Sequence, residues 1–316
     1  MANERGKSID NTHLSIDQAE ARGFIHRDYL AHCLRWTHVA KFLQKSYKTA
    51  RVLDIGCGVD LPLARLLYSS RLIVYDYVGV EYNKSHKFKL EPFHSGKFPI
   101  SAYGSIDFAT EAVKLVEPQS SLKATQSTVI KYDGDNETCE HMLPNVIVSF
   151  EMIEHIEPGH CRDVMSKIHG IMQMTQAHTG EDPVAFISTP CWDPQVGAAA
   201  NHVNEMTYQA LGAMFEGLGF IVEDVAGTFA SQKDYKQHLG EFAPAYAALS
   251  KHYDSNYLAT IFAPLFPEYS RNALWTLRVP SQKQLLEGIP SRFPPLSEVP
   301  GPWTSSEHWE DLLNGR

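Results

Sequence analysis

The sequence predicts an α/β protein built on a doubly wound, seven-stranded, mostly parallel sheet, with an N-terminal helical segment and a helical insertion before the last strand. Three observations predict it. The apolar run Val52-Leu-Asp-Ile55 stops at Gly56 and Gly58 and passes into an amphipathic run of Leu61, Leu63, Ala64, Leu66 and Leu67. That order reads as a buried strand, a tight turn and a helix whose N-terminus faces a ligand. A second apolar run, Tyr77-Val-Gly-Val-Glu81, ends on a carboxylate. Further strand-like runs then alternate with amphipathic segments, as in parallel βαβ units.

The elements follow in order. Residues 1–20 are polar and expected to be loose. From Phe24 to about Tyr47 apolar residues recur at helical spacing (Ile25, Tyr29, Leu30, Cys33, Leu34, Trp36, Val39, Phe42, Leu43), so a helix or two leads into the first strand. Strands are expected near 51–55, 77–81, 128–132, 145–150, 184–188, 220–226 and 273–279. The stretch 84–127, broken by Pro92, Gly96, Pro99, Gly104 and Pro118, is expected to hold a crossover helix near 105–116 and an inserted loop. Thr207 is placed to cap a helix with Leu211, Met214, Phe215 and Leu218 on one face, closed by Gly217 and Gly219. The aromatic-rich stretch 230–270 reads as a helical insertion, whose aromatic stripe is more often core than ligand box. The tail 280–316 is proline-rich and expected to be extended, with a short helix at Ser306–Leu313 begun by Thr304 and Glu307 as a capping box. The domain plan is thus a helical extension at 1–50, a main domain at 51–279 with insertions at about 84–127 and 230–270, and a tail at 280–316.

Composition narrows the function classes. The 316 residues are 43% hydrophobic and 21% charged, which suits an ordinary globular chain whose core needs no disulfide or structural metal. The 28 basic residues against 37 acidic give a net charge of −9, which argues against an extended phosphate-binding surface. The cysteines Cys33, Cys57, Cys139, Cys161 and Cys191 form no CxxC pair and are expected to be reduced thiols in a cytoplasmic protein. A polar start without an apolar core, and no apolar run near eighteen residues, predict neither signal peptide nor membrane span.

The turn after the first strand bears on the ligand. A nicotinamide fingerprint wants three glycines with a pyrophosphate on the helix N-terminus, but Leu61 stands at the third position. The acid Asp54 lies inside the strand, and Glu81, at the end of the second strand, suits the two hydroxyls of a ribose. Acid at the mouth of the turn suits a nucleoside cofactor that carries positive charge and no phosphate, such as S-adenosylmethionine (SAM). Val52-Leu-Asp-Ile-Gly-Cys-Gly58, Gly79-Val-Glu81 and Val146-Ile-Val-Ser-Phe-Glu-Met-Ile-Glu-His155 resemble three successive motifs of the class I SAM-dependent methyltransferases, over about residues 50–229. The resemblance implies their Rossmann-like fold. It also implies that Asp54 and the Gly56–Gly58 backbone meet the methionine part, Glu81 holds the ribose, Asp133 sits by the adenine amino group and Phe150 flanks the sulfonium. The family's usual third glycine is replaced by Asp60, followed by Leu61 and Pro62.

After the fourth strand, Glu151, Glu154 and His155 stand at i, i+3 and i+4, and share a face if a helix starts there. His202 is expected at the same carboxyl edge of the sheet, from the loop after the fifth strand. The Glu-x-x-Glu-His pattern with a later His resembles the branch that includes ubiquinone-pathway O-methyltransferases and small-RNA 3′-terminal 2′-O-methyltransferases. That resemblance implies a divalent metal such as Mg or Mn on Glu151, Glu154, His155 and His202, easing deprotonation of an acceptor hydroxyl. The bland alternative gives the acids to a helix start and leaves His155 or His202 as general base, with Glu154 beside them. Ser149-Phe-Glu-Met152 lacks the Pro-Pro-aromatic turn of DNA amino-methylation, and Pro190-Cys191 lies one strand too late for cytosine C5 chemistry.

The expected activity is therefore SAM-dependent methyl transfer to oxygen. A small-molecule acceptor is favoured by the acidic balance and the aromatic insertion. An RNA 2′-O or base methyltransferase is the alternative, and would use a basic groove from Lys84, Lys87, Lys89 and Lys97. A non-catalytic assembly protein acting through its tail is the third reading. Oligomeric state is not legible.

Overall fold

The computed structural model describes residues 27–46, 49–58, 60–70, 74–82, 88, 100–103, 143–230, 235–307 and 309. The strands are β1 (Ala50–Ile55), β2 (Val74–Val80), β3 (Ile100–Tyr103), β4 (Val146–Phe150), β5 (Val184–Pro190), β6 (Ile221–Ala230) and β7 (Ser270–Arg278). They form one seven-stranded sheet in the order β3-β2-β1-β4-β5-β7-β6. The first five are parallel, and β7 runs antiparallel to both β5 and β6. Going outward from β1 the chain winds one way through β2 and β3 and the other way through β4 and β5. The carboxyl ends of β1 and β4 therefore flank a topological switch point, where open α/β sheets bind ligands.

Alternation along the strands explains the layers. Leu53, Ile55, Val78, Val80, Ile147, Ala185 and Ile187 face one core, while Val52, Tyr77, Val146, Val148, Val184 and Phe186 face the other. The helices are α1 (Arg27–Ser46), α2 (Pro62–Ser69), α3 (Pro158–Thr179), α4 (Tyr208–Gly217), α5 (Ala243–Leu249), α6 (Ser255–Phe262) and α7 (Gln282–Glu287). Helices α1 and α2 cover the second face; α3 and α4 cover the first. Pro158 opens α3 at a position where no N–H is needed, and Gly180 (φ 70°) closes it by returning its N–H to the Gln176 carbonyl at 3.0 Å. Between them Val164, Met165, Ile168, Ile171, Met172 and Thr175 make the buried stripe. Thr207 caps α4 as expected, its hydroxyl accepting from the Ala210 N–H at 3.2 Å.

The strand expected at 128–132 and the helix near 105–116 lie outside the described residues. An edge strand instead lies at Ile100–Tyr103, inside the stretch read as helix and loop. Its four residues between Pro99 and Gly104 are too few to show a period. The insertion at 230–270 is a mixture of short 3-10 turns with α5 and α6, and its aromatics form a separate small core around Phe229, Tyr235 and Phe262.

The tail is not simply extended. Helix α7 is begun by a Ser281–Gln284 capping box that sequence reading passed over. Beyond it the chain packs back on α4: Phe293 lies against Tyr208 and Trp275, with ring centroids at 5.5 and 5.7 Å. A Cβ on Gly212 would lie 2.4 Å from the Phe293 ring, so only glycine lets the tail approach α4 this closely. Trp309, 1% exposed, ends the described strap; most of the helix expected at Ser306–Leu313 lies outside the described residues. If the strap belongs to the core, Phe293→Ala should lower the unfolding free energy by about 3 kcal/mol in urea titration. A loss below about 1 kcal/mol would mean that the strap is only draped on the surface.

Candidate functional site

The first half of the site is the turn after β1. Gly56 (φ 76°) and Gly58 (φ 66°) take left-handed conformations that side chains rarely adopt, and a Cβ on Gly56 would meet Met152 Cγ at 3.0 Å. The turn is stitched to β2: Gly56 and Cys57 N–H both donate to the Val80 carbonyl, at 2.8 and 3.2 Å. Gly58 N–H donates to Glu81 Oε2 at 3.1 Å, tying the turn to the acid at the end of β2. The helix start is unusual. Left-handed backbone recurs at Leu61 (φ 49°), a buried non-glycine residue at the N-cap of α2, while Asp60 is buried with its carboxylate 4.0 Å from Arg65 Nη2. The substituted glycine thus leaves a strained residue one position later.

Asp54 lies buried in β1, paired in register with Gly79, and accepts a hydrogen bond from the Tyr77 hydroxyl. Burial pushes its pKa up to about 7; the Tyr77 hydrogen bond opposes this and the Glu81 charge adds to it. Asp54 and Glu81 thus make an acidic turn. Phe150, half-buried at the end of β4, packs beside the core that holds Cys57 and Leu61. Asp133 lies outside the described residues, as do Lys84, Lys87, Lys89 and Lys97.

The second half of the site lies after β4, and there the sequence expectation is half right. Glu154, His155 and His202 each offer a donor atom within 4.8 Å of the others. Glu151 is not in the group. The backbone takes a left-handed turn at Glu151 (φ 51°), then a 3-10 turn over Ile153–His155, and α3 begins only at Pro158. Without a continuous helix, the i, i+3, i+4 spacing does not put the three residues on one face. Glu151 instead pairs with Arg35 Nη1 at 3.1 Å, accepts from Ser188 Oγ at 3.0 Å and from Asn272 Nδ2 at 2.6 Å. Arg35, 1% exposed, is carried in by α1 and also donates to His32 Nδ1 at 2.6 Å.

Glu154 is completely buried. Thr189 Oγ1 donates to its Oε2 at 3.0 Å, while the Val203 and Asn204 N–H groups hold its main-chain carbonyl at 2.9 and 3.1 Å. Its Oε1 is buried without a hydrogen-bond donor among the described residues and faces His155 Nε2 at 3.9 Å. Burial, then the charge of Glu151, hold this carboxyl well above the usual carboxylate range. The two imidazoles pack edge to face at 4.7 Å, and each Nδ1 is already engaged: His155 with the Asn201 carbonyl at 3.0 Å, His202 with Glu205 Oε1 at 2.5 Å. Their Nε2 atoms are left for a ligand. The Gly197-Ala-Ala-Ala200 loop delivers His202 by a turn in which Gly197 N–H donates to Asp193 O at 2.9 Å and His202 N–H to Ala199 O at 3.0 Å.

Sequence reasoning missed Thr189, Glu205, Arg35 and Asn272. Only Glu205 left a signal, an acid three residues after a singled-out histidine. Cys191, beside Pro190, is buried and its thiol is pushed up to about 12, so it is no nucleophile. Trp192 donates its main-chain N–H to Met206 O at 2.8 Å.

The Asp54 environment has a measurable consequence. An acid whose folded pKa lies above its unfolded value stabilises the fold at low pH, and that stabilisation is lost as pH rises from about 4 through about 7. Asp54→Asn cannot ionise, so its stability relative to the unmodified chain should climb across that window in urea titrations. A difference independent of pH would show that Asp54 is unperturbed.

Comparison with known proteins agrees with the family named by the three motifs. A model described as a methyltransferase domain matches residues 26–225. A search of curated protein sequences gives no significant match. Among solved structures, magnesium protoporphyrin IX methyltransferase of Synechocystis PCC 6803 is 9% identical over 85% of this chain and 89% of that one, with a TM-score of 0.45. The O-methyltransferase of a trans-AT PKS multienzyme of Brevibacillus brevis is 13% identical over 85% and 81%, with a TM-score of 0.44. The small RNA methyltransferase HEN1 is 13% identical over 83% of this chain but 27% of its own, with a TM-score of 0.46. The match over residues 26–225 covers well over half of the sequence, and on that ground the chain belongs to the methyltransferase-domain family.

Proposed function

We propose that this chain is a SAM-dependent O-methyltransferase acting on a small hydroxylated molecule, with a divalent cation such as Mg or Mn held by Glu154, His155 and His202. The observation that carries it is the convergence of those three donor atoms within 4.8 Å at the carboxyl edge that also carries the acidic glycine turn. The donor set fits a cation. Among the described residues Glu154 Oε1 is a buried oxygen lacking a donor, and both imidazoles have their Nδ1 occupied. Imidazoles oriented through their second ring nitrogen, beside a carboxylate, are a donor set used by divalent transition-metal ions. Glu151, bound to Arg35, stands outside the set.

The glycine turn fits the cofactor in charge and shape. Asp54 and Glu81 supply negative potential for a ligand with ammonium and sulfonium groups, and the Gly56–Gly58 backbone allows close approach. SAM, when bound, would supply an electrophilic methyl group to the acceptor oxygen, with S-adenosylhomocysteine as the leaving group. A cation at Glu154, His155 and His202 would supply Lewis acidity that lowers the pKa of the acceptor hydroxyl. The chain's own part is positioning. Glu81, held by Gly58 N–H, orients the ribose; Phe150 at the end of β4 shields the sulfonium from water; and Asp133 is assigned to the adenine amino group by resemblance. Without a cation, His155 or His202 would instead be the candidate general base for the acceptor proton. A small acceptor is favoured over RNA by the net charge of −9.

Two measurements test the reading. Titration calorimetry should show binding of SAM and S-adenosylhomocysteine, and absence of binding to either sinks the enzyme assignment. Tritiated methyl transfer to small diols and catechols should fall by roughly a hundredfold or more in Glu154→Gln, His202→Ala or with EDTA, while S-adenosylhomocysteine affinity stays unchanged. Activity indifferent to EDTA and to both substitutions would remove the cation, and transfer to RNA alone would replace the acceptor class.

A further inference from the structure

The loop between β5 and α4 holds a buried acid that takes no direct part in the proposed reaction. Glu205 is 1% exposed. Its Oε1 receives His202 Nδ1 at 2.5 Å and the Ala199 N–H at 3.2 Å, and its Oε2 lies 3.8 Å from Arg271 Nη2. Arg271 is itself fixed by donating to the Cys191 and Gly197 carbonyls at 3.1 and 3.3 Å. A carboxylate can only accept. With Glu205 as the carboxylate, the proton in the short bond belongs to His202 Nδ1, and a neutral ring then carries its lone pair on Nε2.

The main chain of the same residue is clamped from the opposite side. Glu205 N–H donates to Ser305 Oγ at 2.9 Å, and Ser305 N–H returns to Glu205 O at 2.8 Å. Neighbouring Asn204 Oδ1 receives Thr304 Oγ1 at 3.2 Å and Trp309 Nε1 at 2.6 Å, and a β-bridge joins Met206 to Thr304. The C-terminal strap thus closes on Asn204, which is part of Glu154's main-chain clamp, and on Glu205 beside it. Burying a carboxylate here costs more than burying an apolar side chain of its size. Structural needs alone do not call for a charge, because Arg271 has carbonyl partners and the Ala199 N–H needs only one acceptor.

We infer that Glu205 is the positioning residue of the site: it fixes His202 as the Nδ1–H tautomer, and the strap at 299–309 holds Glu205 in register to do so. The inference rests on the reading of Glu154, His155 and His202 as a donor set, and explains how one of its imidazoles is oriented. Outer-sphere partners of this kind change metal affinity or activity by roughly ten- to a hundredfold.

The direct test is long-range proton–nitrogen correlation spectroscopy of the 15N-labelled full chain near pH 8, where imidazole is neutral, with His202 assigned by its loss in His202→Asn. The unmodified chain should show His202 as the Nδ1–H tautomer. Glu205→Leu should convert it to Nε2–H or a mixture, and Glu205→Gln, whose amide oxygen still accepts, should restore Nδ1–H. An Nε2–H signal in the unmodified chain, or an unchanged tautomer in Glu205→Leu, overturns the inference. Should Glu205→Leu fail to fold, the unmodified chain and Glu205→Gln decide it. The Mn2+ dissociation constant, read by paramagnetic resonance, should rise by roughly tenfold in Glu205→Leu and recover in Glu205→Gln, and a change within about twofold in Glu205→Leu counts against the role. If the unmodified chain binds no Mn2+, the cation reading fails by itself, while the tautomer still settles the part played by Glu205.

Discussion

The buried carboxylate of Glu154 is the constraint on which the carboxyl edge of this sheet depends. An acid wholly removed from water is costly unless its oxygens find partners. Thr189 at the end of β5 serves one oxygen, and the other is turned toward His155. The main-chain carbonyl of the same residue receives two N–H groups from the 201–205 loop, so the residue that needs partners also fixes the loop that supplies His202. Four segments distant in sequence are thereby held around one side chain: the turn after β4, the end of β5, the loop before α4 and, through Asn204 and Glu205, the C-terminal strap.

How much of this could be read beforehand follows from the range of each interaction. The glycine turn, β1, β2, β4 and the cap at Thr207 were legible because they are local: strand period, breaker residues and a hydroxyl three residues before an N–H all lie within a short window. The edge strand Ile100–Tyr103 was not, since four residues carry too little pattern. The arrangement after β4 was misread for a different reason. Spacing fixes a shared face only along a continuous helix, and the left-handed turn at Glu151 breaks that premise. Prolines dominate the tail and predict an extended chain, yet Phe293, Trp303 and Trp309 find partners on α4 and its preceding loop. Those contacts span on the order of a hundred residues, and no local window contains them.

Redirection of Glu151 has a physical rationale. Had its carboxylate joined Glu154, two acids in a poorly hydrated pocket would repel, and the charge of Glu151 already pushes the Glu154 carboxyl upward. The guanidinium of Arg35 offsets this, delivered by a helix that precedes the sheet in sequence and packs on its other core. A buried ion pair is weak evidence for stability, because desolvating two charges cancels much of their attraction. Its value lies in placement. Arg35 links α1 to the end of β4, while Ser188 and Asn272 link β5 and β7 to the same carboxylate. The left-handed backbone at Glu151 persists because those partners over-determine it.

Both halves of the site share one electrostatic character. Asp54 and Glu81 lie at the ends of β1 and β2, and Glu151, paired with Arg35, and Glu154 lie after β4. Acids brought together in this way raise one another's affinity for protons and for cations. On the proposed reading the two halves take cations of different kinds: an organic one, carrying the methyl group, at the glycine turn, and an inorganic one at the imidazole pair. Each would drive protons from the acids it meets, so binding at either half should be favoured by rising pH. The methyl acceptor would then meet a site already neutralised on both sides.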